Sequence, residues 1–181
     1  NWEGSSFLRI YKVESKVNQL ELYDDEPWEP VEMAMPPGLY SFYTYYGDDE
    51  SIKEMAEEIT EYSFSYLEKV IDIRDYLMDN YLYSLKPGIA KDGNQLHHFL
   101  FQSKKGYCSY FAFAMALMCR SIGIPARVAV GFFVSPDMEV LNFYEIKAFQ
   151  AHAWVEVYFK DLGWIEFDPT SSNILTLPSS T

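Results

Sequence analysis

The chain has 181 residues, 49% of them hydrophobic, which is enough for one domain with a buried core. It carries 27 acidic and 14 basic residues, and this balance argues against nucleic acid or an anionic membrane surface as a partner. The longest apolar run, Tyr110 to Cys119, is about half of the roughly 20 residues that a membrane-spanning helix needs. Because the chain begins at Asn1 and shows no signal sequence, we expect a processed product or an excised fragment whose targeting or tethering segment lies outside it.

The first 48 residues are rich in proline, glutamate and tyrosine, and the sequence predicts an extended or β segment at 1–48. Residues 7–13 have the composition of a strand, while the proline-containing stretches 26–30 and 35–38 indicate extended connections. The main domain is predicted at 49–172, and the tail at 173–181 is predicted to be a linker.

Two amphipathic helices are predicted at the start of the main domain. Both have apolar residues at helical spacing and acidic residues at the other positions. The apolar positions are Ile52, Met55, Ala56 and Ile59 in the first helix, and Leu67, Val70, Ile71, Tyr76 and Leu77 in the second. Turns at 86–88 and 92–94 then bound a short loop.

A third, more apolar helix is predicted to begin at Cys108. Positions 108, 111, 115, 118, 119 and 122 follow its period, Gly123 offers a C-terminal cap, and Pro125 prevents continuation. Cys108 therefore lies in the first turn, where unpaired N–H groups and the helix dipole stabilise a thiolate. A cysteine in a helix is more usually a small buried hydrophobe, and this is the interpretation for Cys119. The two cysteines lie about 16 Å apart along the helix, too far for a disulfide.

A β-hairpin is predicted downstream of this helix. Residues 151–159 alternate, with His152 on the more polar face, and residues 164–168 return as a second strand after a turn. A tight turn centred on residues 161 and 162 would set Asp168 opposite Val155. Direct pairing of Asp168 with His152 then needs a different loop or a bulge.

The residue types Cys108, His152 and Asp168 together make a coherent nucleophilic site. A thiol attacks an acyl carbon efficiently as the thiolate, so a histidine must take its proton. A carboxylate on the other ring nitrogen fixes the tautomer and stabilises the imidazolium. Taken singly, His152 could be a hydrogen-bonded histidine on a sheet face and Asp168 a strand-end residue. Their joint occurrence, in this order and on these elements, favours the functional interpretation.

Four ordered strings resemble the transglutaminase-like superfamily, and most closely the core domain of bacterial membrane-anchored transglutaminase-like proteins. They are FLF at 99–101 ahead of KGYC at 105–108, GIPARV at 123–128 followed by Gly131, AHAWVEV at 151–157, and GWIEFDPT at 163–170. The resemblance implies an α+β, papain-like fold in which the nucleophile helix packs against an antiparallel sheet. It also implies that 49–172 is a catalytic core with Cys108 as nucleophile, His152 as general base and acid, and Asp168 as the residue that orients it.

The activity that this resemblance implies is cysteine-dependent acyl transfer through a thioester, without a cofactor. We expect hydrolysis of a peptide or side-chain amide, with transfer to an amine as a further outcome and a protein or peptide as substrate. The alternative is a catalytically silent peptide-binding or structural module of the same fold. The resemblance also implies an extracytoplasmic location, with any membrane contact made through tethering segments outside this chain.

Other site candidates have weaker support. Gln102 lies six residues before Cys108, the spacing of an oxyanion glutamine in papain-like proteases, but an exposed loop glutamine is the more usual interpretation. Tyr107 and Trp154 flank the catalytic candidates and are predicted either to line the substrate cleft or to belong to the core.

The histidine pair at 97–98 and Arg127 are not assigned a catalytic role. The histidine pair at 97–98 lacks the spacing of a zinc site, so no metal is expected, and no calcium-loop spacing is visible. Arg127 is predicted to satisfy a structural carboxylate or carbonyl.

Overall fold

The computed structural model describes residues 35–47, 49–134, 139–140 and 143–172. The predicted strand at 7–13, the predicted connection at 26–30 and the predicted linker at 173–181 lie outside these ranges. The helices are α1 (Pro37–Tyr43), α2 (Glu50–Ile59), α3 (Tyr66–Asn80), α4 (Gln95–His98) and α5 (Cys108–Ser121), with a π-helical turn at Phe99–Ser103 and a 3₁₀ turn at Ala148–Gln150. The strands are β1 (Leu82–Tyr83), β2 (Lys105–Gly106), β3 (Ala126–Phe132), β4 (Glu139–Val140), β5 (Phe143–Tyr144), β6 (Ala151–Phe159) and β7 (Gly163–Phe167).

Helix α1 was not expected from the sequence. The prediction of an extended segment up to residue 48 is wrong for Pro37–Tyr43, where the chain is helical. Proline has no backbone N–H, and an N–H at the first helical position would have no partner inside the helix. Proline is therefore compatible with this position. The hydroxyl of Tyr40 donates to the carbonyl of Gly123 at 3.0 Å, so α1 lies against the end of α5.

Helices α2 and α3 confirm the two predicted amphipathic segments. Asp49 caps α2 by accepting from the backbone of Ser51, and Ser65 and Glu68 form a capping box at the start of α3. The buried positions are Ile52 and Ala56 in α2, and Val70, Ile73 and Leu77 in α3. These two faces are covered by each other and by α5.

Helix α5 is the centre of the molecule. It packs against α2 and α3 on one side and against β3 and β6 on the other. Its small residues Ala112, Ala114 and Ala116 are all buried, which permits close approach from both sides. The predicted C-terminal cap is confirmed, since Gly123 has the positive φ of 81° that an L side chain rarely adopts.

The main sheet has the order β3-β6-β7 and is antiparallel throughout. One face of β6 is buried against α5 and contains Ala153, Val155, Val157 and Phe159. A central helix between a helical layer and an antiparallel sheet confirms the predicted α+β, papain-like class. No helix within the described ranges combines the length and the hydrophobicity needed to span a bilayer.

The register of the β6–β7 hairpin differs by one residue from that of a tight turn centred on residues 161 and 162, and matches the alternative of a different loop. Phe159 pairs with Gly163 and Val155 pairs with Phe167, so Asp168 is not opposite Val155 as a tight turn would require. The loop contains three residues instead of two, and Asp161 takes a positive φ of 67° inside it. Because neighbouring residues in a strand point to opposite faces, this single step moves Asp168 to the face that carries His152.

Candidate active site

The chain path brings the three catalytic candidates to one end of the helix–sheet layer. A short connection after α5 reverses the chain, so β3 runs back beside the helix and ends near its start. Because β6 is antiparallel to β3 and β7 is antiparallel to β6, the start of β6 and the end of β7 lie at that same end. Cys108, His152 and Asp168 occupy these positions.

Cys108 is the first residue of α5, and its thiol is free and partly buried. The N-cap residue Tyr107 makes no side-chain capping hydrogen bond. The amide of Tyr110 donates to the carbonyl of Tyr107 at 2.8 Å, and among the described residues no side chain caps the amides of Cys108 and Ser109. This arrangement suits a group that carries negative charge, either a thiolate or the oxyanion of a substrate.

His152 and Asp168 are in direct contact. The distance between His152 Nε2 and Asp168 Oδ2 is 2.7 Å, and the other carboxylate oxygen accepts from the backbone N–H of Thr170 at 3.0 Å. Since Nε2 faces the carboxylate, Nδ1 is the ring nitrogen that remains for a thiol. Within the described part of the chain, no hydrogen bond joins Cys108 to the imidazole. In substrate-free enzymes such contacts are often long and tighten when substrate binds.

Trp154 lies beside the imidazole, and Gly131 provides the space for it. The rings of His152 and Trp154 are nearly parallel, at 19°, with centroids 6.4 Å apart. Gly131 is the cross-strand partner of His152, and a Cβ at this position would lie 2.8 Å from the Trp154 ring. Trp154 thus restricts the imidazole from one side. Its indole nitrogen is buried and has no hydrogen-bond partner among the described residues.

The remaining sequence candidates lie around the start of α5. Gln102 is exposed on the π-helical turn, and its side-chain oxygen lies 2.9 Å from Nδ1 of His98. Its role in an oxyanion hole stays a prediction. His97 packs on Phe101, with ring centroids 4.6 Å apart. Tyr107 packs edge to face on Tyr110 and lines a cavity next to the helix start.

Two structural assignments from the sequence are confirmed. Arg127 forms an ion pair with Glu156, its cross-strand partner, and its guanidinium lies 4.2 Å from the centre of the Trp164 ring. Cys119 is fully buried, and burial raises the pKa of its thiol to about 12. Cys119 is therefore a neutral core residue at physiological pH.

Sequence reasoning gave no role to Thr170 and Gly131, which position Asp168 and Trp154 in the structure. Both residues belong to the sequence strings that resemble the transglutaminase-like superfamily, but the resemblance does not say what either residue does. Their roles depend on which atoms approach each other across strands, and spacing along the chain does not show this.

Comparison with known proteins identifies the family. Residues 53–169 match the family model of the transglutaminase-like superfamily core. The Bacillus subtilis protein YebA is 35% identical over 128 residues, which are 67% of this chain and 17% of YebA. A Pseudomonas aeruginosa protein named protein-glutamine gamma-glutamyltransferase is 39% identical over 90 residues, which are 50% of this chain and 13% of that protein.

A solved structure shares the fold. The periplasmic domain of TgpA from Pseudomonas aeruginosa superimposes with a TM-score of 0.64 at 28% sequence identity. The match covers 76% of this chain and 49% of the TgpA domain. The chain thus spans about half of this domain and less than a fifth of either curated relative.

Proposed function

Because the chain belongs to the transglutaminase-like superfamily, we propose that it is a cysteine-dependent acyl-transfer enzyme with Cys108, His152 and Asp168 as its catalytic triad. The observation that carries this proposal is the 2.7 Å contact between His152 Nε2 and Asp168 Oδ2, at the same end of the layer as Cys108. A carboxylate in this position favours the imidazolium and leaves Nδ1 as the nitrogen that takes the thiol proton.

The proposed reaction has two halves that share one histidine. His152 takes the proton of Cys108, and the sulfur attacks the carbonyl carbon of an amide to form a tetrahedral intermediate. The imidazolium then gives its proton to the departing nitrogen, which leaves as ammonia or an amine, and a thioester remains. A second nucleophile gives a proton to His152, attacks the thioester, and restores the thiol.

The negative oxygen of each tetrahedral intermediate needs hydrogen-bond donors. The backbone N–H of Cys108 is the first proposed donor, because it belongs to the uncapped first turn of α5. Gln102 is a candidate for the second donor. Its side-chain oxygen contacts Nδ1 of His98, so the amide nitrogen is the atom proposed to donate.

The proposed substrate is a protein or peptide amide. The name of the Pseudomonas relative supports the side-chain amide of glutamine as acyl donor. Water is the proposed acceptor, because hydrolysis needs no second binding channel, whereas preference for an amine requires one that excludes water. Amine transfer is the second candidate, and the transferase name of the same relative favours it.

We also propose an extracytoplasmic location. The structural neighbour is described as a periplasmic domain, and the matched relatives are much longer than this chain. Tethering through segments outside this chain is part of the proposal. Protease accessibility of the full-length protein in intact cells tests it, and complete protection from an external protease would contradict it.

The decisive experiment compares wild type, Cys108→Ala and Cys119→Ala on a library of glutamine-containing peptides, with and without a labelled primary amine. Mass spectrometry should show conversion of glutamine to glutamate by wild type and Cys119→Ala and none by Cys108→Ala. Amine incorporation above hydrolysis would make the protein a transferase. Absence of any Cys108-dependent product would favour the catalytically silent peptide-binding module.

A further inference from the structure

We propose that the cavity beside the start of α5 is a specificity subsite that takes an apolar side chain next to the reacting residue of a peptide substrate. This inference rests on the proposed acyl-transfer reaction. The cavity has a volume of about 260 Å³ and is lined by Gln95, Leu96, Tyr107, Ser109, Tyr110 and Phe113.

The cavity lies next to the proposed nucleophile. Two of its lining residues, Tyr107 and Ser109, are the chain neighbours of Cys108. In a peptide, consecutive Cα atoms are about 3.8 Å apart. When the carbonyl of one substrate residue meets Cys108, the side chain of an adjacent residue is therefore within reach of the cavity.

The lining selects an apolar occupant. None of the six described lining residues carries a charge. The amide of Gln95 is already engaged, since its oxygen accepts from the backbone of Ala90 and its nitrogen donates to the carbonyl of Gly88. A charged side chain placed here would lose hydration and meet no opposite charge, only the hydroxyl-bearing residues Tyr107, Ser109 and Tyr110. An aliphatic or aromatic side chain would contact Leu96 and the aromatic rings.

Size and rigidity fit a single side chain. Sites for drug-sized ligands have volumes of roughly 300–1,000 Å³, so this cavity is too small for most cofactors. Tyr110 forms a fixed wall, because its ring packs on Tyr107 and on Phe99 at centroid distances of 4.8 and 5.5 Å. Gly106 permits this position, since a Cβ there would lie 2.7 Å from Cβ of Tyr110. A preformed wall reduces the ordering cost of binding.

Apolar surface is also exposed at the end of β3, near the start of α5. Val130 and Phe132 are 79% and 50% exposed, and they share a strand face with the buried Ala126. This is the face that packs against α5 further along the strand. His152 pairs with Gly131 and therefore lies on the opposite face of the sheet, so this apolar surface does not surround the imidazole.

Peptides with one glutamine test the subsite. Each neighbour of the glutamine is varied in turn among Ala, Leu, Phe, Asp and Lys, and kcat/KM is measured with wild type, Leu96→Ser, Phe113→Ser and Phe64→Ser. Phe64 is the matched control, because it is 95% exposed and lies between α2 and α3. At one neighbouring position, wild type and Phe64→Ser should prefer Leu or Phe over Ala by about tenfold or more, and Asp and Lys should be the poorest residues.

Leu96→Ser and Phe113→Ser should reduce this preference to about threefold or less. The preference is a ratio measured within one variant, so a general loss of activity in that variant does not change it. Binding of the same peptides to Cys108→Ala, measured by fluorescence anisotropy, separates the subsite from the reaction. A preference for Leu in binding that Phe113→Ser removes supports the subsite even if wild type turns over no peptide. Equal binding of the Leu and Ala peptides, or a preference that both variants retain, overturns it.

Discussion

The two ends of helix α5 carry the same side chain in opposite environments. Cys108 begins the helix, is partly buried, and lies at the end of the layer where His152 contacts Asp168. Cys119 lies about three turns further along, is completely buried, and has a pKa raised to about 12 by burial. Since only a thiolate is a good nucleophile, Cys119 is a packing residue, and Cys108 is the cysteine proposed for the chemistry.

The two ends of α5 also differ in how their backbone groups are hydrogen-bonded. At the far end, the Cys119 carbonyl accepts from the N–H of Ile124 at 2.9 Å, and the Arg120 carbonyl accepts from the N–H of Gly123 at 3.0 Å. At the near end, the side chain of the N-cap residue gives no capping bond. Backbone N–H groups thus satisfy carbonyls at the far end of the helix, whereas among the described residues no side chain caps the amide of Cys108 at the near end.

The largest expected effect is on catalysis at the near end. Asp168→Asn keeps the shape of the side chain but removes the charge that stabilises the imidazolium, so kcat/KM should fall by about 10⁴-fold. Asp168 is half exposed, and the free energy of unfolding should change by less than about 1 kcal/mol. Peptide hydrolysis and thermal denaturation provide the two measurements. Glu166→Gln, on the same strand, is the control that should retain activity.

A structural role for Asp168 predicts a different result. In that case Asp168→Asn would lower the melting temperature while the folded fraction kept its specific activity. Asp168 would then only terminate strand β7, and the triad proposal would lose its third member.

The next effect compares the two cysteines directly. With iodoacetamide at pH 7, Cys108 should be alkylated about 10³-fold faster than Cys119, because Cys119 must first be exposed by unfolding. His152→Ala should slow the labelling of Cys108 and leave Cys119 unchanged. Peptide mapping by mass spectrometry measures both rates in one sample. Equal rates in the folded protein would remove Cys108 as the assigned nucleophile.

A smaller effect tests packing in the middle of α5. Met115 is completely buried, and Met115→Ala should destabilise the protein by about 3 kcal/mol through lost contacts and a residual cavity. Leu85 is 75% exposed, and Leu85→Ala should cost less than about 0.5 kcal/mol. Urea denaturation gives both values. If Met115→Ala is as stable as wild type, α5 is not the centre of the core.

The smallest expected effect concerns the cap at the far end. Gly123 has a φ of 81°, and a Cβ there would lie 3.3 Å from the hydroxyl of Tyr40. Gly123→Ala should therefore destabilise the protein by about 1 to 2 kcal/mol. Gly38 lies in α1, and a Cβ on it would meet no atom within 4 Å, so Gly38→Ala should be neutral or slightly stabilising. Equal destabilisation by both substitutions would contradict the role assigned to the cap.

The helices show how far periodicity can be interpreted. The patterns around Ile52, Val70 and Met115 predicted α2, α3 and α5, because a face that must be buried imposes a 3.6-residue repeat on the sequence. Helix α1 has no such signal: it is short, contains no buried residue, and begins at Pro37 after another proline. Its position depends on contacts with distant residues, such as the bond from Tyr40 to Gly123.

The β6–β7 hairpin shows the same limit of sequence periodicity at the candidate active site. Alternation in residues 151–159 predicted β6 and the face of His152, and the second strand predicted at 164–168 is observed as β7, shifted by one residue. The loop length was left open between a tight turn and a longer loop or bulge, and the structure has the longer loop, with a positive φ at Asp161. In a strand, one residue decides which face a side chain occupies.

By itself, the sequence determined the helical and strand faces, the placement of Cys108 at a helix start, and the family. These properties follow from local periodicity, turn residues and short sequence motifs, all of which involve residues close together in the sequence. Only the tertiary structure decided that Asp168 contacts His152, that Gly131 leaves room for Trp154, and that a cavity lies beside Cys108. These depend on strand register and on distances between side chains far apart in sequence, where a shift of one residue changes the contact.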